Sequence, residues 1–424
     1  MDAGKLANWR GQVFTAAWFL YAGYYICRKD LAPGSGASTS HLAVSLACFG
    51  ATYAIGQVAG GILADRVGAR RTALAGAAIS IVCTCLLAWS SRQPALALML
   101  QLGNGFGQGF GWPAMLKLIG NWFRRGERDR VLGWWSTSYI LGGLLATSLT
   151  SWLVVQTGVA ARTDFYPAHI ISSGMLLCAA LFFYKETGDL PEDTPDATAH
   201  TDLSAQRTQA GAWSEILANR DIRTISITYF FLKMTRYTLL FWLPLYLTSS
   251  MGESQHSADH IASYLELLGF LGPLAAGYAV QRWFGERRIA LGASMLFALA
   301  FVCLLHPLLA ASGWFGMACS ISMIGILIYG ADVLLSAMAV LEAVPDELHG
   351  RAAGFVNGIG SVGQMLSPFL VTVFVSRLGW TKLFDLFVCF SLVAGVICAF
   401  GARRQTSDSS RPNRSILGTP ELPV

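Results

Sequence analysis

Two pairs of cations sit inside stretches that are otherwise apolar, and these are the residues best placed to do chemistry. The first stretch, Trp9–Leu31, reads WRGQVFTAAWFLYAGYYICRKDL and carries Arg28 and Lys29 near its far end. The second, Ile222–Leu247, carries Lys233 and Arg236 well inside its ends. A cation at bilayer depth is expensive unless it faces a partner or a water-filled cavity. Taken alone, Arg28 and Lys29 could snorkel to a membrane surface as ordinary anchors. A second cationic stretch in the other half of the chain favours a pore that holds an anion.

The chemistry such a pore offers is recognition of an anion. A guanidinium is a rigid fork that fits two phosphate oxygens, and it stays charged at ordinary pH. Forks on opposite halves of a protein would neutralise a dianion and draw the halves together. Without an anion they would repel, and closing over them would bury uncompensated cations. That predicts exchange of one anion for another, without leak.

Further candidates surround the two arginines. Lys233 lies three residues before Arg236 and can share its helix face, inside the pore or beside it. Lys29 points about 100° away from Arg28 on a helix and is a candidate either for the site or for the interface. Asp332 lies in an apolar stretch, where an acid is usually functional or paired; a water-filled vestibule is the alternative. Asp30 and Asp332 could each pair with a cation. Tyr24, Tyr25, Tyr139, Tyr237 and Trp242 could line a sugar site, although aromatics at membrane level are also common anchors. Lys117, four residues after Pro113, faces either the cavity or the inner loops, and Trp112–Pro113 shapes a helix.

The elements that must position these residues are membrane helices. The chain of 424 residues is 54% hydrophobic and only 13% charged, against about 25% charged in soluble domains. Twelve apolar runs are expected to span, at roughly 9–31, 42–64, 72–90, 95–119, 131–155, 167–185, 222–248, 260–282, 289–309, 313–341, 352–376 and 380–401. Backbone polar groups must be satisfied internally in lipid, and the short alternating segments of a barrel are missing, so the runs are helices. The fold class is all-α and polytopic. The net charge of +5 resides mainly in short loops and does not suggest nucleic acid. The nine cysteines lie mostly in apolar runs without a CxxC pattern and read as small hydrophobes. No metal or cofactor is called for, and no P-loop, HExxH or GxSxG stands in a convincing setting for an enzyme.

The loops set an orientation. Lys5, Arg10, Arg66, Arg70, Arg71, Arg124, Arg125, Arg128, Arg130, Arg282, Arg287, Arg288, Arg351, Arg403 and Arg404 fall on one side, and the other has scattered cations such as Arg92, Arg162, Arg377 and Lys382. The positive-inside rule then puts both termini in the cytoplasm. The chain divides into an N-terminal six-helix bundle, 1–185, a flexible cytoplasmic linker, 186–219, a C-terminal six-helix bundle, 220–401, and a disordered tail, 402–424. The halves echo each other: RRTALAG at Arg70–Gly76 resembles RRIALG at Arg287–Gly292, and DRVLGWW at Asp129–Trp135 has a weaker counterpart in GRAAGFV at Gly350–Val356. Internal repeats with a site between the halves are the usual construction of a rocking transporter.

GGILADRVGARR at Gly60–Arg71 resembles the cytoplasmic loop motif of the major facilitator superfamily, with Asp65 able to meet a neighbouring helix end or an Arg across the interface. YYICRKD at Tyr24–Asp30, GFGQGFGWPAMLKLIGNWF at Gly105–Phe123, RYTLLFWLPLYL at Arg236–Leu247, YGADVLLSAMAVLEAVP at Tyr329–Pro345 and GRAAGFVNGIGSVG at Gly350–Gly363 resemble signatures of its organophosphate:phosphate antiporters. The resemblance implies the major facilitator fold, with twelve helices in two pseudo-symmetric six-helix bundles. It also implies Arg28 and Arg236 as the phosphate ligands. This sequence has Gln57 where the family often has a Lys after Tyr53, and Tyr139 where glycerol-3-phosphate carriers have a His.

The function expected is secondary transport, an organic phosphate (a hexose 6-phosphate or a three-carbon phosphate) exchanged for inorganic phosphate by alternating access. The candidate substrate-binding set is Arg28, Arg236, Lys233, Lys29, Tyr24, Gln57, Lys117, Tyr139, Tyr237 and Asp332. Partners are the two phosphates and the lipid bilayer, with the monomer as the working unit. A bacterial inner membrane is favoured over a eukaryotic internal one. The competing classes are a membrane sensor of phosphorylated sugar that keeps the transporter fold, and a proton-coupled carrier of another organic anion.

Overall fold

All twelve apolar runs fall on helices. The computed structural model describes residues 3–29, 39–90, 93–157, 166–189, 209–285 and 287–409. In chain order the helices are α1 (Ala3–Lys29), α2 (Thr39–Val67), α3 (Ala69–Leu87), α4 (Pro94–Gly109), α5 (Gly111–Trp122), α6 (Arg125–Thr157), α7 (Tyr166–Glu186), α8 (Gln209–Ala218), α9 (Arg220–Met251), α10 (Gln255–Leu267), α11 (Leu271–Ala279), α12 (Arg288–Ala311), α13 (Trp314–Val333), α14 (Ala339–Ala343), α15 (His349–Leu378) and α16 (Leu383–Ser409). Wide π turns at Val280–Phe284 and Leu334–Met338 prolong α11 and join α13 to α14. Asp30, Arg92 and Arg162 lie outside the described residues, as do 190–208 and 410–424.

Among the described residues, eight helical stretches are long and apolar enough to cross a membrane: Ala47–Val67, Ala69–Leu87, Ala168–Glu186, Ser257–Phe284, Arg288–Ala311, Trp314–Ala343, Asp346–Leu378 and Leu383–Arg403. The four runs outside this set lie on α1, on α4 with α5, on α6 and on α9. The reason is their polar content. α1 and α9 carry Arg28, Lys233 and Arg236, α4 carries Asn104 and Gln108, and α6 begins with a charged turn and is rich in Ser and Thr. The helices that depart most from a plain apolar span therefore include the two bearing the candidate site's cations.

Two expectations need correction. The end of the linker is folded: Gln209–Ala218 is helical, with Ala212 and Ile216 buried and Trp213 against Phe355. Its start is docked, since Trp122 Nε1 donates to Gly188 O at 2.9 Å and the Arg70 amide donates to Asp189 Oδ1 at 2.7 Å. The helix of the last run also extends through Ser409, so the first part of the expected tail is helical.

The halves meet along α2 and α15, which pack backbone to backbone. A Cβ added at Gly354 would collide with the Gln57 carbonyl, and one at Gly61 with the Gly350 carbonyl. At the arginine-rich end the seam is locked by polar contacts. Asp65 accepts from the Gly350 and Arg351 amides, each at 2.9 Å, and so caps α15 from the other half. A carboxylate there satisfies amides that the helix leaves unpaired and meets the positive end of its dipole. Lys117 Nζ lies 3.4 Å from Asp65 and donates to Asp346 O at 2.6 Å. Arg288 forms a two-pronged pair with Asp129 at 3.1 and 2.8 Å, and Arg128 another with Asp346 at 3.3 and 3.1 Å. Both expected roles of Asp65, at a helix end and toward an Arg across the interface, are realised, since Arg351 Nη1 also approaches it at 3.4 Å.

Candidate functional site

The site is built where Arg28, near the end of α1, reaches Tyr237 of α9. Arg28 is only 6% exposed. Its Nε donates to Gln108 Oε1 of α4 at 3.0 Å, and its Nη1 to the hydroxyls of Tyr25 at 3.0 Å and of Tyr237 at 3.1 Å. Tyr237 belongs to the opposite half, so this guanidinium already touches both. Its carbon lies 4.1 Å from the centre of the Tyr53 ring, near enough for a cation–π contact. Among the described residues no carboxylate pairs with it.

Lys233, 2% exposed, completes the other side. Its Nζ donates to Ser361 Oγ at 2.9 Å and to Asn357 O at 3.4 Å, both on α15, and it also lies 5.3 Å from the centre of the Tyr53 ring. These partners are neutral. Arg28 and Lys233 thus flank one aromatic ring from opposite halves, each held by dipoles.

Arg236 is different. Its Nη1 donates to Asp332 Oδ2 at 2.9 Å, in an ion pair whose side chains are 4% and 1% exposed. Asp332 further accepts from Tyr139 at 2.9 Å and from Tyr229 at 2.8 Å. Arg236 is also framed by the rings of Tyr139 and Tyr329, at 4.9 and 4.8 Å. The anticipated pair of uncompensated arginines is thereby revised: Arg236 has a counter-ion at 2.9 Å, and the site cation of the C-terminal half that pairs with no carboxylate among the described residues is Lys233.

The structure brings Arg28, Lys233, Arg236, Asp332, Tyr139, Tyr237 and Tyr25 together. It places four candidates elsewhere. Tyr24 donates to Ala73 O at 2.7 Å and faces α3. Lys117 serves the arginine-rich end through Asp65 and Asp346. Gln57 stands at the α2–α15 seam, fully buried, one helical turn from Tyr53. Trp242 packs against Trp380. The Lys29 side chain and Asp30 lie outside the described residues. Residues that sequence reasoning missed are Gln108, Tyr229, Asn357 and Ser361, together with the ring of Tyr53. A buried Gln or Asn inside a spanning run is a usable signal, because such a group needs a partner; the Ser and Tyr residues carried none.

The arrangement can hold a compact dianion. Three cations and one carboxylate leave a formal charge of +2, from Arg28, Lys233 and Arg236 against Asp332. The aromatic wall of Tyr25, Tyr53, Tyr139 and Tyr237 offers rings and hydroxyls to a polar organic group. A group of His, Cys, Asp and Glu suited to a metal does not occur among the described residues.

Comparison with known proteins accords with this geometry. The chain matches the Major Facilitator Superfamily over residues 13–340 and again over 225–422. It is 24% identical over 407 residues to the glycerol-3-phosphate transporter of Bacillus subtilis, covering 92% of this chain and 91% of that one. It is 28% identical over 407 residues to the membrane sensor protein UhpC of Salmonella typhimurium, covering 92% and 90%. A glucose-6-phosphate exchanger of Xenopus laevis is 26% identical over 398 residues, covering 82% and 76%. Among solved structures, a proton:xylose symporter bound to 6-bromo-6-deoxy-D-glucose superposes with a TM-score of 0.75 at 12% identity, covering 95% of this chain and 96% of that one. A fucose transporter in an outward conformation gives 0.70 at 12% identity, covering 92% and 98%; both bear on the fold alone.

Proposed function

From the premise that this chain belongs to the Major Facilitator Superfamily, as an integral multi-pass membrane protein and not an enzyme, we propose that it carries an organic phosphate across the membrane. In this reading the twelve helices form two six-helix bundles, the arginine-rich end is cytoplasmic, and one chain supplies both halves of the site. The phosphate sits between Arg28 and Lys233. The observation that carries this is that two buried cations from opposite halves have, among the described residues, neutral hydrogen-bond partners, across the ring of Tyr53. A dianion entering between them would compensate both, and closure over it relieves their mutual repulsion. The tyrosine wall suits a phosphorylated sugar or a three-carbon phosphate. Similarity to a glycerol-3-phosphate transporter and a glucose-6-phosphate exchanger supports the phosphate ester as ligand class.

Reconstituted vesicles test the reading. Vesicles loaded with inorganic phosphate should take up labelled glucose 6-phosphate or glycerol 3-phosphate well above protein-free vesicles. The absence of both uptake and binding for every phosphate ester would refute it. Similarity to a membrane sensor supports a second reading, in which the same site reports ligand binding to a partner. Binding without flux in a well-folded preparation selects that reading.

A further inference from the structure

We infer that Asp332 is a fixed internal anion that lets the two halves close on each other without a substrate phosphate, so that the protein is built for net movement as well as exchange. The identity of the ligand rests on the proposed function above; the role of Asp332 in closure does not.

The argument starts from charge. A buried cation without a counter-ion costs several kcal/mol and opposes any state that buries it. Arg236 escapes that cost because Asp332 lies 2.9 Å away in its own half. Removing the carboxylate would raise the formal charge at the centre from +2 to +3, with all three cations still buried. The carboxylate is also tied to the other half, since Tyr139 of α6 donates to the same Oδ2 at 2.9 Å. One side chain therefore neutralises a cation on α9 and bonds across the seam.

The backbone around Asp332 repeats the pattern. The π turn Leu334–Met338 begins two residues later, and such turns alter where carbonyls point. Ser336 O accepts from Trp112 Nε1 of α5 at 3.3 Å, and Ser336 Oγ donates to Asp332 O at 2.6 Å. The segment carrying the anion is thus grasped by the N-terminal half at a side chain and at a carbonyl. Asp332 compensates Arg236 whether or not substrate is bound, which lowers the charge that closure must bury, and a substrate anion compensates what remains at Arg28 and Lys233.

Hydrogen–deuterium exchange on the full chain in lipid reads closure directly, because the Gly350 and Arg351 amides donate across the seam to Asp65. In phosphate-free buffer the wild type should protect them. Asp332→Asn should exchange them at least about tenfold faster, and saturating glucose 6-phosphate should restore protection. In vesicles the same variant should show a lower ratio of net efflux to exchange. Wild-type protection in Asp332→Asn without phosphate, or a wild type that protects these amides only with phosphate ester, would overturn the inference. Amides of α12 report folding; if Asp332→Asn loses those too, Tyr139→Phe removes only the cross-seam bond and should give a smaller loss at Gly350 and Arg351, and its absence refutes the role. Should no phosphate ester restore protection or bind the wild type, the ligand reading fails while the effect of Asp332 on phosphate-free closure stands.

Discussion

Arg28 and Lys233 are alike in burial and unlike in chemistry. The guanidinium spends its fork on Gln108, Tyr25 and Tyr237, whereas the ammonium is a point charge held by Ser361 and the Asn357 carbonyl. A guanidinium fixes the orientation of a phosphate, and an ammonium adds charge with little directional demand. Lys233→Gln should therefore lower affinity for inorganic phosphate at least about tenfold, or about 1.4 kcal/mol, while leaving discrimination among phosphate esters nearly intact. Equilibrium binding of inorganic phosphate, glucose 6-phosphate and glycerol 3-phosphate to the variant checks both parts. Unchanged affinity for all three would remove Lys233 from the site. Arg236 was legible in the sequence as a site cation, but its state was not. The apolar run around Asp332 marks an unusual acid, yet only the structure shows that the acid faces Arg236, ninety-six positions away, at hydrogen-bond distance.

Helices were the most legible level, because a run of apolar residues long enough to span leaves the backbone little choice. What the runs could not show is where a helix breaks or widens. The run 95–119 is divided at Phe110, and the run 313–341 contains the π turn at Leu334–Met338. Both irregularities lie in segments that contact the opposite half, where local packing overrides propensity. The linker differs from expectation for a related reason: Gln209–Ala218 ends a segment that is polar as a whole, but its Ala212 and Ile216 find buried places that the segment's composition does not reveal. The α2–α15 contact turns on glycine, and Gly354→Ala should force the two helices apart against the Gln57 carbonyl. Overpacking of this kind costs about 1–3 kcal/mol. The expected result is faster amide exchange at Gly350 and Arg351 with α12 unaffected; wild-type exchange there would mean the seam accommodates a methyl group.

At the scale of the molecule, two halves share one charged centre and one locked end. The polar contacts of Asp65, Asp129, Arg128 and Asp346 hold the arginine-rich end closed, and the site lies apart from it, where Arg28 of α1 reaches Tyr237 of α9. This separation suits alternating access: the seam can open while each half keeps its own site residues on rigid helices. The repeat of arginine pairs at 70–71 and 287–288 suggests a two-part construction, whereas the asymmetry of the centre, with its counter-ion Asp332 on the C-terminal half, has no signature in the repeat. The central claim is that a phosphate is held between Arg28 and Lys233. Calorimetric titration of glucose 6-phosphate into the wild type and into Arg28→Lys tests it most directly, at equal amounts of folded protein. Saturable binding to the wild type, weakened at least about tenfold by a change that keeps the charge and loses the fork, is the result expected. Binding to Arg28→Lys as tight as to the wild type would contradict it.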